Sequence, residues 1–230
     1  MTAKRLNTVK EYYFSEKLRE VASMVAAGNP VINIGIGSPD LLPHPKVVAA
    51  LKESFDHPKV HQYQSYQGVP ELRQAIANFY QKHYQYNANP VSEILPLMGS
   101  KEGIMHISMA FLNPGDKVLI PNPGYPTYQS VTRLVEAEPV FYDLNAQNQW
   151  QPNFDDLDRM DLSDVKLMWV NYPHMPTGAN AQKDTFEKLI VWAKEKDILL
   201  VNDNPYSFVL TDHPQSMMSV SYTHLRAHET

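Results

Sequence analysis

Asp203 and Tyr206 are the residues whose types and spacing point most directly to chemistry. Asp203 follows the apolar run 198–201, and Tyr206 lies three residues further along the same predicted loop, so one ligand could contact both. A carboxylate beside a pyridine nitrogen keeps that nitrogen protonated, which makes the ring an electron sink, and a phenol can hydrogen-bond a hydroxyl of the same ring. An aspartate in such a turn can equally be a cap or turn residue, and the sequence leaves both interpretations open.

A second candidate is the segment Gly-Ser-Lys at 99–101, where a predicted strand runs into a predicted helix. Gly99 permits a tight turn, and the backbone N–H groups of Ser100 and Lys101 would lie at the positive end of that helix. Such an end binds a phosphate dianion, and the Ser100 hydroxyl would be an additional donor. The alternative is an ordinary helix start with Ser100 as N-cap and Lys101 in solvent.

The third candidate is Tyr125, which follows the predicted strand 118–120 within the run Asn-Pro-Gly-Tyr-Pro. Its ring could stack on a flat ligand, or it could simply cover the edge of the core. Ligands of open parallel sheets bind at the carboxyl ends of the strands. All three candidates follow predicted strands, so we expect them to converge on one crevice.

The elements that must position these residues alternate along the chain. Apolar periodicity and proline and glycine punctuation predict helices at 10–27, 45–55, 101–112, 126–137 and 185–196, another beginning at Pro70, and one or two turns at 154–160. Short apolar runs predict strands at 31–34, 94–98, 118–120, 139–144, 165–170 and 198–201. Strands separated by single helices predict an α/β fold with a mostly parallel sheet and helices on both faces.

Composition narrows the class of protein. The chain has 230 residues, of which 43% are apolar, and its formal net charge is −5 without any basic run, which argues against nucleic acid as a partner. No apolar segment reaches the roughly 20 residues needed to span a bilayer, which predicts no membrane partner. The sequence has no cysteine and its histidines lack metal-ligand spacing, so no metal site and a cytoplasmic location are predicted.

Taken in order, these motifs resemble the class I and II pyridoxal-phosphate-dependent aminotransferases, which share the fold of aspartate aminotransferase. The resemblance covers roughly residues 10–220 and implies pyridoxal 5′-phosphate as the cofactor. It implies that Ser100 and Lys101 bind the cofactor phosphate and that Tyr125 stacks on the ring. Asp203 would pair with the pyridine nitrogen, and Tyr206 with the ring hydroxyl.

The resemblance extends to two residues nearer the start of the chain. Gly37, in the run Gly-Ile-Gly-Ser-Pro-Asp, matches the loop that approaches the substrate carboxylate. Tyr63 matches a tyrosine that reaches the cofactor phosphate of the neighbouring subunit, which implies a homodimer for the full-length protein. One departure is Met175, which stands where the pattern Asn-Pro-Thr-Gly has its asparagine. A thioether cannot donate the hydrogen bond that an amide gives to the ring hydroxyl, and Asn171 is a nearby substitute.

A larger departure concerns catalysis. The lysine that forms a Schiff base with the cofactor follows the Asp–Tyr loop in this family, and this chain has no lysine after Lys196. No catalytic residue is therefore predicted within it. The expected organisation is an N-terminal arm at 1–30, an incomplete cofactor-binding domain at 31–220 and a non-native tail at 221–230, without the small C-terminal domain.

The resemblance implies transamination between an amino acid and a 2-oxo acid by the intact protein, and an inactive chain in the present form. Two alternatives stay open. A carbon–sulfur lyase or a condensing enzyme of the same fold would bind the cofactor in the same way, because the cofactor contacts do not determine which reaction the deprotonated substrate undergoes. From another class, some transcription regulators carry an aminotransferase-like effector-binding domain.

Overall fold

The computed structural model describes residues 2–8, 11–37 and 39–220. The described residues fall into two compact units, one within Lys10–Tyr66 and the other within Met1–Val9 and Gln67–Thr230. The boundary predicted at residue 30 does not coincide with the boundary between these units, and the domain assignment stays a prediction. The predicted tail at 221–230 lies outside the described residues.

The smaller unit contains the helices α1 (Tyr13–Ala26) and α2 (Pro45–Ser54), as predicted. His44 caps α2 by accepting a hydrogen bond from the backbone N–H of Lys46, and Pro45 occupies the first helical position, where its missing N–H costs nothing. The predicted strand at 31–34 is wrong. That segment is irregular, and the side chains of Ile32 and Ile34 are each 91% exposed. A strand needs a partner for its backbone groups, and none of the described residues pairs with this segment.

The larger unit carries the remaining elements. After a 3-10 helix at Lys4–Thr8 come α3 (Pro70–Tyr84), α4 (Ser100–Phe111), β1 (Lys117–Asn122), α5 (Pro126–Leu134), β2 (Glu138–Asp143), α6 (Phe154–Arg159), β3 (Val165–Asn171), α7 (Lys183–Glu195), β4 (Leu199–Asp203) and α8 (Ser207–Leu210). The helices and strands predicted between Pro70 and 201 are confirmed with one exception. The predicted strand at 94–98 is wrong, because none of the described residues pairs with this segment, and an apolar pattern does not reveal whether a pairing partner exists.

The four strands form one sheet in the order β2-β1-β3-β4, and every neighbouring pair is parallel. All carboxyl ends therefore meet at one edge. The register pairs Asn122 with Asp143 at the ends of β1 and β2, and Asn171 with Asp203 at the ends of β3 and β4. The carboxyl edge of the sheet is therefore lined by short polar side chains, whereas the strands that lead to it are mostly apolar.

Both faces of the sheet are covered by helices. Trp169 of β3 packs with Ile104 of α4 and Tyr128 of α5 in one buried cluster. Met168 precedes Trp169 and lies on the opposite face of the sheet. It packs with Phe186 and other residues of α6 and α7 in a second cluster. Successive residues of one strand point to opposite faces, so β1, β3 and β4 contribute side chains to both clusters. The predicted α/β fold with a parallel sheet and helices on both faces is confirmed. No helix in the described parts of the chain combines the length and apolarity that a bilayer crossing requires.

Candidate functional site

The centre of the site is the carboxylate of Asp203, the last residue of β4. Its Oδ2 accepts a hydrogen bond of 2.8 Å from the hydroxyl of Tyr128, in the first turn of α5. Burial raises the pKa of Asp203, and the bond from Tyr128 acts in the opposite direction. Burial also raises the pKa of Tyr128, and the charge of Asp203 adds to that rise, so the phenol keeps its proton and remains a donor. None of the described residues donates to the second carboxylate oxygen, Oδ1.

A row of aromatic contacts connects Asp203 to the start of α4. The Tyr128 ring is stacked on Trp169 with 5.1 Å between centroids and an interplanar angle of 7°. Tyr125 meets Tyr128 edge-on, at 5.6 Å and 86°. The ammonium group of Lys101 lies 5.9 Å from the centre of the Tyr125 ring, within the range of a cation–π interaction. The predicted convergence of residues 101, 125 and 203 on one edge of the sheet is therefore found.

The N-terminus of α4 has no side-chain cap. Its N-cap is Gly99, which has a φ of 98° and no side chain to occupy the first-turn N–H groups. A left-handed φ is easily adopted only by glycine, which explains the residue type at this turn. Ser100 is the first residue of the helix rather than its cap, so the alternative proposed for Ser100 from the sequence is wrong. The exposed first turn presents donors that an anionic group can use.

The loop after β3 is tied to Asp203 through Asn171. The Asn171 amide nitrogen donates to the backbone oxygen of Asp203 at 2.6 Å, and its Oδ1 accepts from the backbone N–H of Met175 at 2.7 Å. The Asn171 side chain is buried and joins the backbones of two loops. This geometry argues against Asn171 as the substitute donor for Met175.

Met175 and Tyr206 form a pair at the same edge. The Tyr206 hydroxyl donates to the Met175 thioether sulfur at 3.4 Å. The two residues are thus brought together from the loops that follow β3 and β4, and the Tyr206 hydroxyl faces a weak acceptor.

Two predicted residues belong to the other unit. Gly37 and Tyr63 lie within Lys10–Tyr66, where both are exposed. Their roles in binding substrate carboxylate and cofactor phosphate stay predictions.

Tyr128 is a site residue that was not predicted from the sequence. A signal was present, because Tyr125 and Tyr128 are three residues apart and flank Pro126, a typical first residue of a helix. The partner of Tyr128 is 75 residues away in the chain, so no local pattern could identify it. In the described parts of the chain, no group of three or more histidine or acidic side chains is arranged to hold a metal ion.

The sequence also matches a known family. Residues 29–227 match the family model described as aminotransferase class I and II. The chain belongs to this family. Among its curated relatives, the LL-diaminopimelate aminotransferase of Syntrophobacter fumaroxidans is 38% identical over 205 residues, which cover 89% of this chain and 53% of the relative. The enzyme of the same name from Dehalococcoides mccartyi (strain ATCC BAA-2266 / KCTC 15142 / 195) is 39% identical over 211 residues, covering 91% and 54%.

Solved structures agree with the fold. The apo structure of BacF from Bacillus subtilis has a TM-score of 0.86 and 35% identity, covering 95% of this chain and 56% of BacF. Alanine aminotransferase from Pyrococcus furiosus has a TM-score of 0.87 and 27% identity, covering 96% of this chain and 56% of that chain. This aminotransferase-family chain spans about half the length of the curated relatives it matches.

Proposed function

We propose that the intact protein is a pyridoxal-phosphate-dependent aminotransferase that transfers an amino group from an amino acid to a 2-oxo acid. The observation that carries the proposal is the Asp203 carboxylate at the end of β4, with Oδ2 held by Tyr128 and Oδ1 without a donor among the described residues. Membership of the class I and II aminotransferases supports the same reaction.

The residues at the sheet edge suit this cofactor. Burial raises the pKa of Asp203, and a protonated pyridine nitrogen would give the carboxylate both a charge partner and a second hydrogen bond. At the other end of the row, the first turn of α4, which carries Ser100 and Lys101 and has no side-chain cap, suits the phosphate. Between these ends, Tyr125 offers a ring face and Tyr206 a hydroxyl. When bound, the cofactor supplies an electron sink for the amino-acid carbanion.

The amino donor is inferred from the relatives. Those named LL-diaminopimelate aminotransferase are 36% to 39% identical to this chain, which supports a donor with a second amino group and a second carboxylate. Gly37 would approach the substrate carboxylate. A full-length homodimer, in which Tyr63 contacts the cofactor phosphate bound by the partner copy, belongs to the same proposal, and a cytoplasmic location stays a prediction.

Binding of pyridoxamine 5′-phosphate by the purified chain tests the cofactor assignment. This ligand has no aldehyde and does not react with exposed lysines, so binding depends on the site alone. Titration followed by quenching of tryptophan fluorescence should give a dissociation constant at least about tenfold lower for the chain than for Asp203→Asn, since a hydrogen bond to a charged group contributes about 1.5–3 kcal/mol. Asp161→Asn, in an exposed ion pair with Lys117, is the matched control and should bind as the unaltered chain does.

Equal binding by Asp203→Asn and the unaltered chain would remove Asp203 from the site and the proposal with it. The reaction itself is tested on the product of the intact gene, with diamino and acidic amino acids as donors and 2-oxoglutarate as acceptor. Formation of glutamate supports transamination, whereas release of ammonia and pyruvate from a sulfur-containing amino acid offered in a parallel assay would assign a carbon–sulfur lyase instead.

A further inference from the structure

A buried histidine, His174, joins two of the loops at the carboxyl edge of the sheet. The residue is 1% exposed, and both ring nitrogens have partners. Nε2 lies 3.1 Å from the backbone oxygen of Pro123, in the loop after β1, and Nδ1 lies 2.7 Å from the hydroxyl oxygen of Thr177, in the loop after β3. No contact proposed above for the cofactor uses this side chain.

The partners of His174 define its chemical form. A backbone carbonyl only accepts hydrogen bonds, so Nε2 must carry the proton in its contact with Pro123. Burial lowers the pKa of His174, which favours the neutral ring, and Nδ1 then accepts from the Thr177 hydroxyl. The His174 ring is therefore neutral, and it donates a hydrogen bond to the backbone oxygen of Pro123.

The backbone around His174 is fixed as well. Its N–H donates to the oxygen of Ala179 at 2.7 Å, and its own oxygen accepts from the N–H of Gly178 at 2.7 Å. These bonds close a turn over 174–179, so the imidazole projects toward Pro123 from a hydrogen-bonded segment of backbone.

The loop that receives this bond carries Tyr125. Between Pro123 and Tyr125 stands Gly124, where an added Cβ would collide with the backbone oxygen of Pro121, so this loop folds back closely on the end of β1. The Tyr125 ring then meets Tyr128 edge-on, and Tyr128 donates to Asp203. A displacement of the Pro123 carbonyl would therefore move the Tyr125 ring relative to the Asp203 carboxylate.

We propose that His174 is a positioning residue, whose Nε2–H holds the Pro123 carbonyl and thereby sets the place of the Tyr125 ring beside Asp203. That this ring then faces a flat cofactor rests on the proposed function, while the positioning itself does not. A histidine that only filled space would be replaced without effect by any side chain of similar volume.

Three substitutions separate these roles. His174→Gln places an amide N–H close to the position of Nε2 and keeps a donor for Pro123. His174→Asn has its amide at the level of Nδ1 and stops short of Pro123, and His174→Leu fills similar space without any hydrogen bond. Thr177→Val removes the partner of Nδ1, together with a longer contact of 3.4 Å from the N–H of Ala179, and leaves the bond to Pro123; it is the matched control.

The primary measurement needs no ligand. In the full chain with labelled tyrosine rings and uniformly labelled backbone nitrogen, nuclear Overhauser effects between the ring protons of Tyr125 and Tyr128 report their contact, and the backbone spectrum of β3 reports that the fold is retained. We expect the Tyr125–Tyr128 effects to persist in His174→Gln and Thr177→Val, and to be lost in His174→Asn and His174→Leu.

Pyridoxamine 5′-phosphate should bind within about threefold of the unaltered chain in the first pair and about tenfold more weakly in the second, a difference of about 1.4 kcal/mol.

Contact between the Tyr125 and Tyr128 rings that survives in folded His174→Asn and His174→Leu would overturn the proposal, as would its loss in His174→Gln. If one of the two disruptive variants does not fold, the other decides. Unfolding of both would make His174 a residue of the fold as a whole and would also overturn positioning. If no protein in the series binds pyridoxamine 5′-phosphate, the proposed function fails, while the ring contacts still decide the role of His174.

Discussion

The hydroxyl of Tyr128 donates a 2.8 Å hydrogen bond to the carboxylate of Asp203, across 75 residues of sequence. The bond joins the first turn of α5 to the end of β4, and the Tyr128 ring is itself stacked on Trp169 in the core. Packing in the core thus fixes the position of the Tyr128 hydroxyl, and the hydrogen bond from this hydroxyl fixes the rotation of the Asp203 carboxylate. One oxygen is turned to Tyr128, and the other has no donor among the described residues.

Tyr128→Phe should weaken ligand binding through Asp203. The substitution keeps the ring stack but removes the only donor that a described residue gives to the Asp203 carboxylate. Leaving a buried acceptor unsatisfied costs about 1–3 kcal/mol, so we expect a loss of that size in the free energy of unfolding measured in urea. The affinity for pyridoxamine 5′-phosphate should fall about tenfold, because the carboxylate is no longer oriented.

Tyr142→Phe is the matched control for this prediction. Its hydroxyl donates to the backbone oxygen of Trp169 at 2.8 Å in the core, away from the Asp203 carboxylate. This variant should lose comparable stability but retain ligand affinity. An equal loss of affinity in both variants would mean that general destabilisation, rather than the orientation of Asp203, is responsible.

The sequence alone predicted most of the elements and the convergence of three loops, because both depend on local patterns. Apolar runs separated by single helices require parallel strands, and parallel strands bring 125 and 203 to one edge. Residue 101 was predicted there through a strand at 94–98 that does not form, and it joins the edge through its contact with Tyr125. The contacts within the edge were not predictable, since the bonds of Asp203 to Tyr128 and Asn171 depend on the strand order β2-β1-β3-β4 and on its register.

The two incorrect strands have a different cause. Residues 31–34 and 94–98 carry the apolar residues typical of strands, but a strand forms only where a neighbour accepts and donates its backbone hydrogen bonds. Sequence patterns describe the segment and not its neighbour. In the described chain, Ile32 and Ile34 remain almost fully exposed and neither segment enters the sheet.

Asp203→Asn should stabilise the chain at neutral pH while weakening its binding of pyridoxamine 5′-phosphate. Burial raises the pKa of Asp203, so the ionised carboxylate is less favourable in the folded chain than in the unfolded one. Removing the charge removes this cost. As pH falls through the raised pKa toward the ordinary value of about 3.9, the folded chain takes up its proton first and regains stability. The advantage of the variant, measured by urea unfolding between pH 7 and pH 4, should therefore shrink with falling pH.

Asp161→Asn should behave in the opposite sense. Hydrogen bonds from the hydroxyl of Ser163 and the ammonium of Lys117 lower the pKa of Asp161 to about 2. Its contribution to stability is present at neutral pH and is lost as pH falls from about 3.9 toward that lowered value. Replacing it should give no gain in stability at pH 7. A gain from both substitutions would indicate a general effect of lowering the negative charge of the chain.

Gly124→Ala should disturb the loop that carries Tyr125. The added Cβ would collide with the backbone oxygen and the ring of Pro121, so the loop must move away from the end of β1. Overpacking of this kind costs about 1–3 kcal/mol, measurable as a lower midpoint in urea. Gly37→Ala is the control, because its Cβ would meet nothing within 4 Å and its φ is not in the left-handed region. Equal stability of Gly124→Ala and the unaltered chain would show that the loop has room to relax.

Met175→Asn should change the acidity of the ligand's ring hydroxyl. In the structure the Tyr206 hydroxyl faces the Met175 sulfur at 3.4 Å, and a thioether offers no donor. An amide at this position would add a donor that favours the ionised hydroxyl. One hydrogen bond to a charged group contributes about 1.5–3 kcal/mol, so the absorbance titration of bound pyridoxamine 5′-phosphate should shift to lower pH by about 1 to 2 pH units.

Met175→Leu, which preserves the volume without adding a donor, should titrate as the unaltered chain does. An unshifted titration in Met175→Asn, with the ligand still bound, would place residue 175 outside the reach of the ring hydroxyl and would leave Tyr206 as its only proposed partner.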